Sequence, residues 1–219
     1  MWKADLLSYR GEMNFIRAYQ GNSLVWERPL KNNVIYYTVS DGGSITPYYP
    51  DPFGDAVIVS NKYEDGLGVI TFDRSVTIIG EKAFTSNSKI ESVVIPSSVT
   101  TISSMAFYKC INLKKITIPS SVTRIEGSAF GGCSSLESIV IPSSVVYIGG
   151  FAFGECSSLV EVIVNSQTPP ELYHNSAAGE YTSFIKNAPG RLFKVPSGSV
   201  NTYKTATGWS NYADSIVSQ

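Results

Sequence analysis

Four carboxylates in the first third of the chain come closest to a pattern that could do chemistry. Asp51, Asp55, Glu64 and Asp65 lie close together in the sequence, and paired carboxylates can hydrolyse glycosides or bind Ca²⁺. These four stand among prolines and glycines, where Asp commonly hydrogen-bonds the backbone of a turn. No Asp-x-Asp-x-Asp-Gly loop accompanies them. The spacing therefore predicts turns rather than an active site or a calcium site.

The sequence has too few histidines and cysteines for most of the chemistry that these residues perform in active sites and metal sites. His174 is the only histidine, in a segment that reads as a surface loop, and the sequence contains no P-loop, G-x-S-x-G or H-E-x-x-H motif. Cys110, Cys133 and Cys156 recur at one constant spacing, with Asn87 at the corresponding earlier position. An odd number of cysteines in one register predicts buried thiols rather than disulfides or a metal site. We therefore predict a protein without enzymatic activity, cofactor or metal.

The elements that would have to position these residues are repeats of constant length between Ser75 and Asn165. Equivalent apolar residues recur in four columns with the same spacing as the cysteines: Val76, Val99, Val122 and Val145; Ile79, Ile102, Ile125 and Ile148; Phe84, Phe107, Phe130 and Phe153; Ile90, Leu113, Leu136 and Leu159. Such self-similarity indicates a solenoid, in which each unit buries its apolar face against its neighbours. Stacking of the units predicts that the four phenylalanines form one aromatic column in the core.

Each repeat predicts a strand, a corner, a second strand and a helical turn. In the repeat that begins at Leu113, Ile116 and Ile118 share one face of a strand that Pro119 ends. Residues 122–125 are β-branched or strand-compatible and form the second strand. The apolar positions 129, 130, 133 and 136 then follow at spacings typical of one inward-facing helical turn.

The segments that flank the repeats are predicted to be caps, because the end strands of a solenoid would otherwise expose an edge. We expect residues 69–72 to pair with the first full repeat, residues 46–53 to be irregular, residues 192–196 to form a last degenerate rung, and Ser199 to N-cap a helix over 200–206. This divides the chain into an N-terminal segment with a β-hairpin around Gly21-Asn22 (1–30), a β-rich N-terminal cap (31–68), the solenoid (69–165) and a C-terminal cap (166–219).

Composition argues against two classes of partner. The chain has 17 basic and 18 acidic residues and a formal net charge of −1, so no basic surface for nucleic acid is predicted. No run of apolar residues is long enough to span a membrane, and residues 1–20 lack the apolar core of a secretory signal. We therefore predict neither nucleic-acid binding nor membrane insertion.

Outward positions of the first strand of each repeat form the candidate partner-binding face. One row is mostly apolar and comprises Thr71, Val94, Thr117, Val140 and Ile163, and the next row comprises Val69, Ser92, Lys115, Ser138 and Glu161. Exposed apolar surface of sufficient area marks an interaction site, although β-branched residues are also good strand formers. A protein partner is therefore expected here, and the oligomeric state is left open.

The repeat I-P-S-S-V-T-x-I-x-x-x-A-F-x-x-C-x-x-L, present from Ile95, Ile118 and (with Val146 for Thr) Ile141, resembles the BspA-like leucine-rich repeat of bacterial surface proteins. Residues 195–204 with Gly208-Trp209 also resemble the C-terminal cap of that family. Repeats and resemblance together predict a β-rich (α/β), right-handed leucine-rich-repeat solenoid of about four repeats, with a β-rich N-terminal cap and a strand-plus-helix C-terminal cap. The resemblance implies a surface or extracellular protein that recognises or adheres to host or matrix proteins.

A second resemblance supplies an alternative. The hairpin around residues 18–26 is loosely similar to short N-terminal hairpins of phage and prophage virion proteins. It implies a virion structural or decoration protein, reaching the outside without a signal peptide and docking on a capsid or tail through Phe15, Tyr19, Leu24 and Trp26.

Overall fold

The computed structural model describes residues 15–20, 23–48, 52–177, 179–184 and 188–219, and for residues 15–29 it describes the backbone alone. Short strands joined by turns make up most of this part of the chain. The strands are β1 (Phe15–Gln20), β2 (Ser23–Pro29), β3 (Val34–Val39), β4 (Ile58–Glu64), β5 (Leu67–Phe72), β6 (Ile78–Ile79), β7 (Ile90–Val94), β8 (Thr101–Ile102), β9 (Lys115–Thr117), β10 (Arg124–Ile125), β11 (Ser138–Ile141), β12 (Tyr147–Ile148), β13 (Glu161–Val164), β14 (Glu171–Leu172), β15 (His174–Asn175), β16 (Glu180–Tyr181), β17 (Leu192–Val195) and β18 (Ile216–Ser218).

The second strands of the repeats form one parallel sheet with the order β14-β12-β10-β8-β6. Its strands pair in register, so that Ile79, Ile102, Ile125, Ile148 and Leu172 lie over one another. Leu172 falls one position later than the constant spacing would place it, and it supplies a fifth rung beyond the four regular repeats.

The first strands of the repeats form two further sheets. β7 pairs with β9 in parallel, and β11, β13, β17 and β18 form a second group in that order. The predicted last rung at residues 192–196 is confirmed, since β17 pairs in parallel with β13. The C-terminal strand β18 then pairs in parallel with β17, which the sequence pattern did not predict.

The expectation that residues 69–72 pair with the first full repeat is wrong. β3 lies between β5 and β7 and is antiparallel to both, giving the sheet order β4-β5-β3-β7-β9. The reason is burial: β3 (VIYYTV) is apolar on both of its faces, and five of its six residues are buried. A strand that is apolar on both faces is most stable in the interior of a sheet, so β3 takes the central position and β5 is displaced outward by one strand.

The predicted aromatic column is confirmed and is longer than predicted. Ring centroids of successive phenylalanines from Phe84 to Phe153 are 5.2, 5.3 and 5.3 Å apart, with nearly parallel planes. Phe184 continues the stack at 5.2 Å, although it follows Phe153 at more than the constant spacing. Phe53, from the proline-rich segment, closes the other end with its ring 5.8 Å from Phe84. The column is the centre of one continuous core.

The predicted helical turn is replaced by consecutive β-turns. In the third repeat, Ser128 (φ 55°) and Gly132 (φ 74°) have left-handed backbone conformations four residues apart, which no α-helix contains. The equivalent positions are left-handed in the other repeats: Lys82 and Ser86, Met105 and Lys109, Phe151 and Glu155. This geometry directs backbone N–H groups along the stack, so that the amide of Phe130 donates to the carbonyl of Ala152 at 2.8 Å. Apolar spacing alone cannot distinguish the two structures, because both place every third or fourth side chain inward.

The three thiols are free and buried, as predicted. Each Sγ donates to a backbone carbonyl of the preceding repeat: Cys110 to Phe84 at 3.0 Å, Cys133 to Phe107 at 3.2 Å and Cys156 to Phe130 at 3.1 Å. Burial raises the pKa of Cys110 and that of Cys156 to about 12, and raises the pKa of Cys133 in the same direction.

The C-terminal cap contains a helix, but its ends differ from the prediction. A 3₁₀ helix (Ser197–Ser199) precedes α1 (Val200–Thr205), and Ser199 makes no side-chain capping bond, since its backbone already lies in the helical region. The helix ends at Thr205, one residue before the predicted end, and Gly208 (φ 79°) precedes a second 3₁₀ helix, Trp209–Ser215. Trp209 Nε1 donates to the Pro170 carbonyl at 2.7 Å, and Tyr203 Oη donates to the Ser166 carbonyl at 2.8 Å. These two bonds fasten the cap to the end of the repeats.

Candidate recognition face

The candidate face is the outer surface of the sheets formed by the first strands. Along these strands side chains alternate, so that Val93 and Ile116 point into the core while Val94 and Thr117 point away from it. Parallel in-register pairing joins Ser92 to Lys115 and Val94 to Thr117 across β7 and β9. The same pairing joins Ser138 to Glu161 and Val140 to Ile163 across β11 and β13.

The N-terminal end of the predicted rows needs correction. Thr71 does not lie beside Val94, because β3 stands between them; Thr71 pairs with Val34, and Val94 pairs with Tyr36. Val94 and Ser92 are also buried, with 3% and 9% of their surface exposed. The constant repeat spacing predicted a continuous row because it contains no information about a strand inserted from elsewhere in the chain.

We call the N-terminal end of this outer surface the closed half. Val34, Tyr36, Leu67 and Val94 are each at most 5% exposed and form a small apolar cluster of their own, separate from the main core. Leu30 and Val69 pack against this cluster. A groove of about 200 Å³ borders it along the outward side chains of β4 and β5.

The remainder of the outer surface is the open half. Thr117, Val140 and Ile163 are half-buried, and Lys115 and Ser138 are exposed. The structure extends these rows beyond the predicted residues, since Glu161 pairs with Leu192, Ile163 with Lys194 and Lys194 with Val217.

The sequence predicted the rung at residues 192–196, but its outward residues were not added to the rows because β17 follows β13 at more than the constant spacing. Val195-Pro196 nevertheless repeats the apolar-proline ending of Ile118-Pro119, and alignment on that dipeptide would have found it. Of the added residues, Leu192 is 40% exposed and continues the row of Ser138 and Glu161, whereas Lys194 continues the row of Val140 and Ile163.

Charged groups on this surface are paired across strands. The ammonium of Lys194 contacts the Glu161 carboxylate, and Lys114 Nζ lies 2.7 Å from Glu91 Oε1. Exposed ion pairs of this kind contribute about 0–1 kcal/mol each to stability. Because Lys194 follows Ile163 in its row, its pairing with Glu161 neutralises the charge at that end of the apolar row.

Of the residues considered for chemistry, Asp51 lies outside the described part of the chain, and no three of the others are grouped into a site. Asp65 (φ 52°) and Gly66 (φ 80°) make the two-residue turn between β4 and β5, in agreement with the turn prediction. His174 is exposed, as predicted, and belongs to the two-stranded β15–β16 hairpin with its ring 4.8 Å from that of Tyr181. Within the described residues, no three His, Cys, Asp or Glu side chains are grouped so as to hold a metal ion.

The predicted N-terminal hairpin is present in the backbone. β1 and β2 pair in antiparallel fashion, with Phe15 opposite Pro29 and Ala18 opposite Trp26, and an irregularity after Ala18 places Tyr19 opposite Leu24. The side chains of the candidate docking residues Phe15, Tyr19, Leu24 and Trp26 lie outside the described part of the structure. None of the helices in the described part is long and apolar enough to cross a membrane.

Several proteins of known structure are similar to this chain. A search of the curated proteins finds no match. Among solved structures, a leucine-rich cell surface protein of Faecalibacterium prausnitzii A2-165 is 27% identical, with 57% of this chain and 46% of that chain covered and a TM-score of 0.40. The pneumococcal vaccine antigen PcpA is 17% identical (65% and 38% covered, TM-score 0.43), and a leucine-rich repeat protein of Bacteroides ovatus ATCC 8483 is 19% identical (76% and 54% covered, TM-score 0.34). This chain thus spans about half or less of the length of these three.

The family comparison is more extensive. The family described as BspA type Leucine rich repeat region matches residues 62–176 in six copies, two more than the four regular repeats predicted from the spacing. The match covers just over half of the sequence and confirms the resemblance drawn from the repeat motif. The chain belongs to the BspA type leucine-rich repeat family.

Proposed function

We propose that this chain is a non-enzymatic recognition module of a surface-exposed protein, and that it binds a protein partner through the open half of its outer face. The observation that carries the proposal is the half-buried row of Thr117, Val140 and Ile163. Beside it runs the row of exposed Lys115 and Ser138, which Leu192 continues past Glu161. An ordered apolar row with a polar margin is the surface composition of protein interfaces. The surface location rests on the resemblance of the repeats and the C-terminal cap.

Rigidity favours recognition by this face. Ile163 stands on β13, which pairs with β11 on one side and with β17 on the other, and the row lies above a core that contains the stacked phenylalanines. A preformed surface loses little conformational entropy when it binds. In this proposal the coil is right-handed, its four regular repeats display the face, and the caps protect the two ends from pairing with other strands.

The proposal is tested by replacing apolar residues of the row. The double variant Val140→Lys/Ile163→Lys should weaken binding at least about tenfold, because two ammonium groups would have to be desolvated at an apolar contact. Binding of the fluorescently labelled protein would be measured on epithelial monolayers and on immobilised extracellular-matrix proteins.

The matched control places the same charges on the opposite sheet. Thr100 and Thr123 are exposed beside β8 and β10, and Thr100→Lys/Thr123→Lys should bind like the wild type. Wild-type affinity of the Val140/Ile163 variant would overturn the assignment of the face. Absence of binding to every cell and matrix surface would overturn the adhesion role.

The virion alternative is favoured by one feature, the N-terminal hairpin, which forms a two-stranded sheet of its own. In this alternative the hairpin docks on a capsid or tail and the solenoid projects outward. Purified virions from the producing strain would contain the chain as a stoichiometric component, detectable by mass spectrometry. Recovery of the chain only from the cell surface or the medium would exclude it.

A further inference from the structure

The closed half poses a question that the proposed function leaves unanswered, namely what buries it. Tyr36 stands on the outer face of a sheet, away from the main core, yet only 4% of its surface is exposed. The equivalent outward residues of the open half, Thr117, Val140 and Ile163, are half-buried on the same kind of surface. Neighbouring strands alone therefore do not bury an outward side chain here, and another part of the molecule must lie over Tyr36 and Val94.

Chain connectivity indicates which part this is. Leu30 packs against the cluster, and it directly follows Pro29, the last residue of β2. The short segment 30–33 leads into β3 and can extend over at most about 14 Å. Its path is fixed at the edge of the sheet, because Asn33 Nδ2 donates to the Phe72 carbonyl at 3.0 Å and the backbone amide of Val76 donates to the Asn32 carbonyl at 2.8 Å. The base of the β1–β2 hairpin is therefore held beside the closed half.

Dimensions and composition agree with this placement. A strand of the length of β2 extends over about 23 Å, and the three strands β5, β3 and β7 span about 10 Å between their axes, so one hairpin is large enough to cover the cluster. An isolated two-stranded hairpin is marginally stable in water and needs a packing partner. Residues 15–29 (FIRAYQGNSLVWERP) include the large apolar residues Phe15, Ile16, Tyr19, Leu24, Val25 and Trp26, which is sufficient apolar surface to cover a cluster of four side chains.

We infer that the hairpin of residues 15–29 lies across the closed half and covers Val34, Tyr36, Leu67 and Val94. The groove along β4 and β5 then marks the border of this contact, where Lys62 and Glu64 remain exposed. The inference goes beyond the proposed function, since it assigns an intramolecular occupant to one half of the outer face and leaves the other half for a partner. It also removes the hairpin from the residues free to dock on a virion.

Photocrosslinking in the full chain tests this contact. A benzoylphenylalanine introduced at position 69, where Val69 is half-buried at the margin of the cluster, should crosslink to residues 15–29 within one chain. The same group introduced at position 140, where Val140 is half-buried in the open half, is the matched control and should give no crosslink to residues 15–29. Proteolysis and mass spectrometry would identify the joined peptides. A third position, the exposed Lys62 beside the groove, keeps the test available if the change at Val69 prevents folding.

Other occupants give different products. Crosslinks from positions 62 and 69 to residues 1–14 alone, to a second copy of the chain in a covalent dimer, or to no peptide would each overturn the inference. These outcomes do not affect the recognition proposal, because that proposal is measured by binding through Val140 and Ile163.

Discussion

The two halves of the outer face have the same strand alternation but different exposure. In the open half, Val140 and Ile163 are half-buried beside exposed Lys115 and Ser138. In the closed half, Val94 and Tyr36 are 3% and 4% exposed. The difference shows that a residue's place in the repeat determines the direction of its side chain but not its accessibility. Accessibility depends on segments outside the repeats, and of the two sets of outward residues only those of the open half are partly exposed.

The largest expected effect concerns the core that both halves share. Replacing Phe130 by Ala, in the middle of the stacked column, should lower the free energy of unfolding by about 3–5 kcal/mol, because a fully buried ring is removed between two others. Urea unfolding followed by far-UV circular dichroism measures it. Phe151→Ala is the matched control, since Phe151 is 41% exposed, and it should cost much less. Equal losses in the two variants would contradict the placement of Phe130 in the core.

The second prediction tests the two halves directly. Val94→Lys should destabilise the fold by at least about 2 kcal/mol, because it removes a buried valine and adds a charge to an apolar cluster. Val140→Lys should change stability by about 0.5 kcal/mol, as is usual at positions that water reaches. Thermal and urea unfolding of the two single variants provide the comparison. If Val94→Lys unfolds like Val140→Lys, the distinction between closed and open halves is wrong.

The third prediction concerns the repeats beneath the open half, where the thiols lie. Burial raises the pKa of Cys110 to about 12, whereas the pKa of a thiol in an unfolded chain is about 8.5. A group whose pKa is higher in the folded state releases its proton first in the unfolded state. Its stabilising contribution is complete below the unfolded pKa and is lost as pH rises toward the folded one. Each such thiol should therefore lower stability by about 1.4 kcal/mol per pH unit between about pH 9 and pH 12.

Urea unfolding at pH 8, 9.5 and 10.5 checks this dependence. Cys110→Ala should show a shallower loss of stability with pH than the wild type, by about 1.4 kcal/mol per pH unit. Ser120→Ala, at an exposed hydroxyl of the same repeat, should retain the wild-type slope. Identical slopes for Cys110→Ala and the wild type would show that this thiol is not held protonated by the fold.

Repeat spacing made much of the solenoid predictable. Residues one period apart occupy equivalent places, so the phenylalanine column, the buried thiols and the second-strand sheet follow from columns read down the sequence. The repeat spacing did not predict the structure at either end of the solenoid. Phe184 and β17 follow their predecessors at more than one period, and β3 enters the sheet from before the repeats in the opposite direction. Strand insertion is a contact between segments that are distant in the sequence, and the repeat period does not predict such contacts.

The sequence by itself determined the repeat, the residues that face inward and the family, because side-chain alternation and like-on-like stacking are local rules applied at a constant period. Only the tertiary structure decided that consecutive left-handed turns replace the helical turn, since inter-repeat hydrogen bonds select between backbones with the same inward side chains. It also decided which half of the outer face is buried. That result depends on β3, whose Ile35 and Tyr37 face the main core while Val34 and Tyr36 face outward and are nevertheless buried.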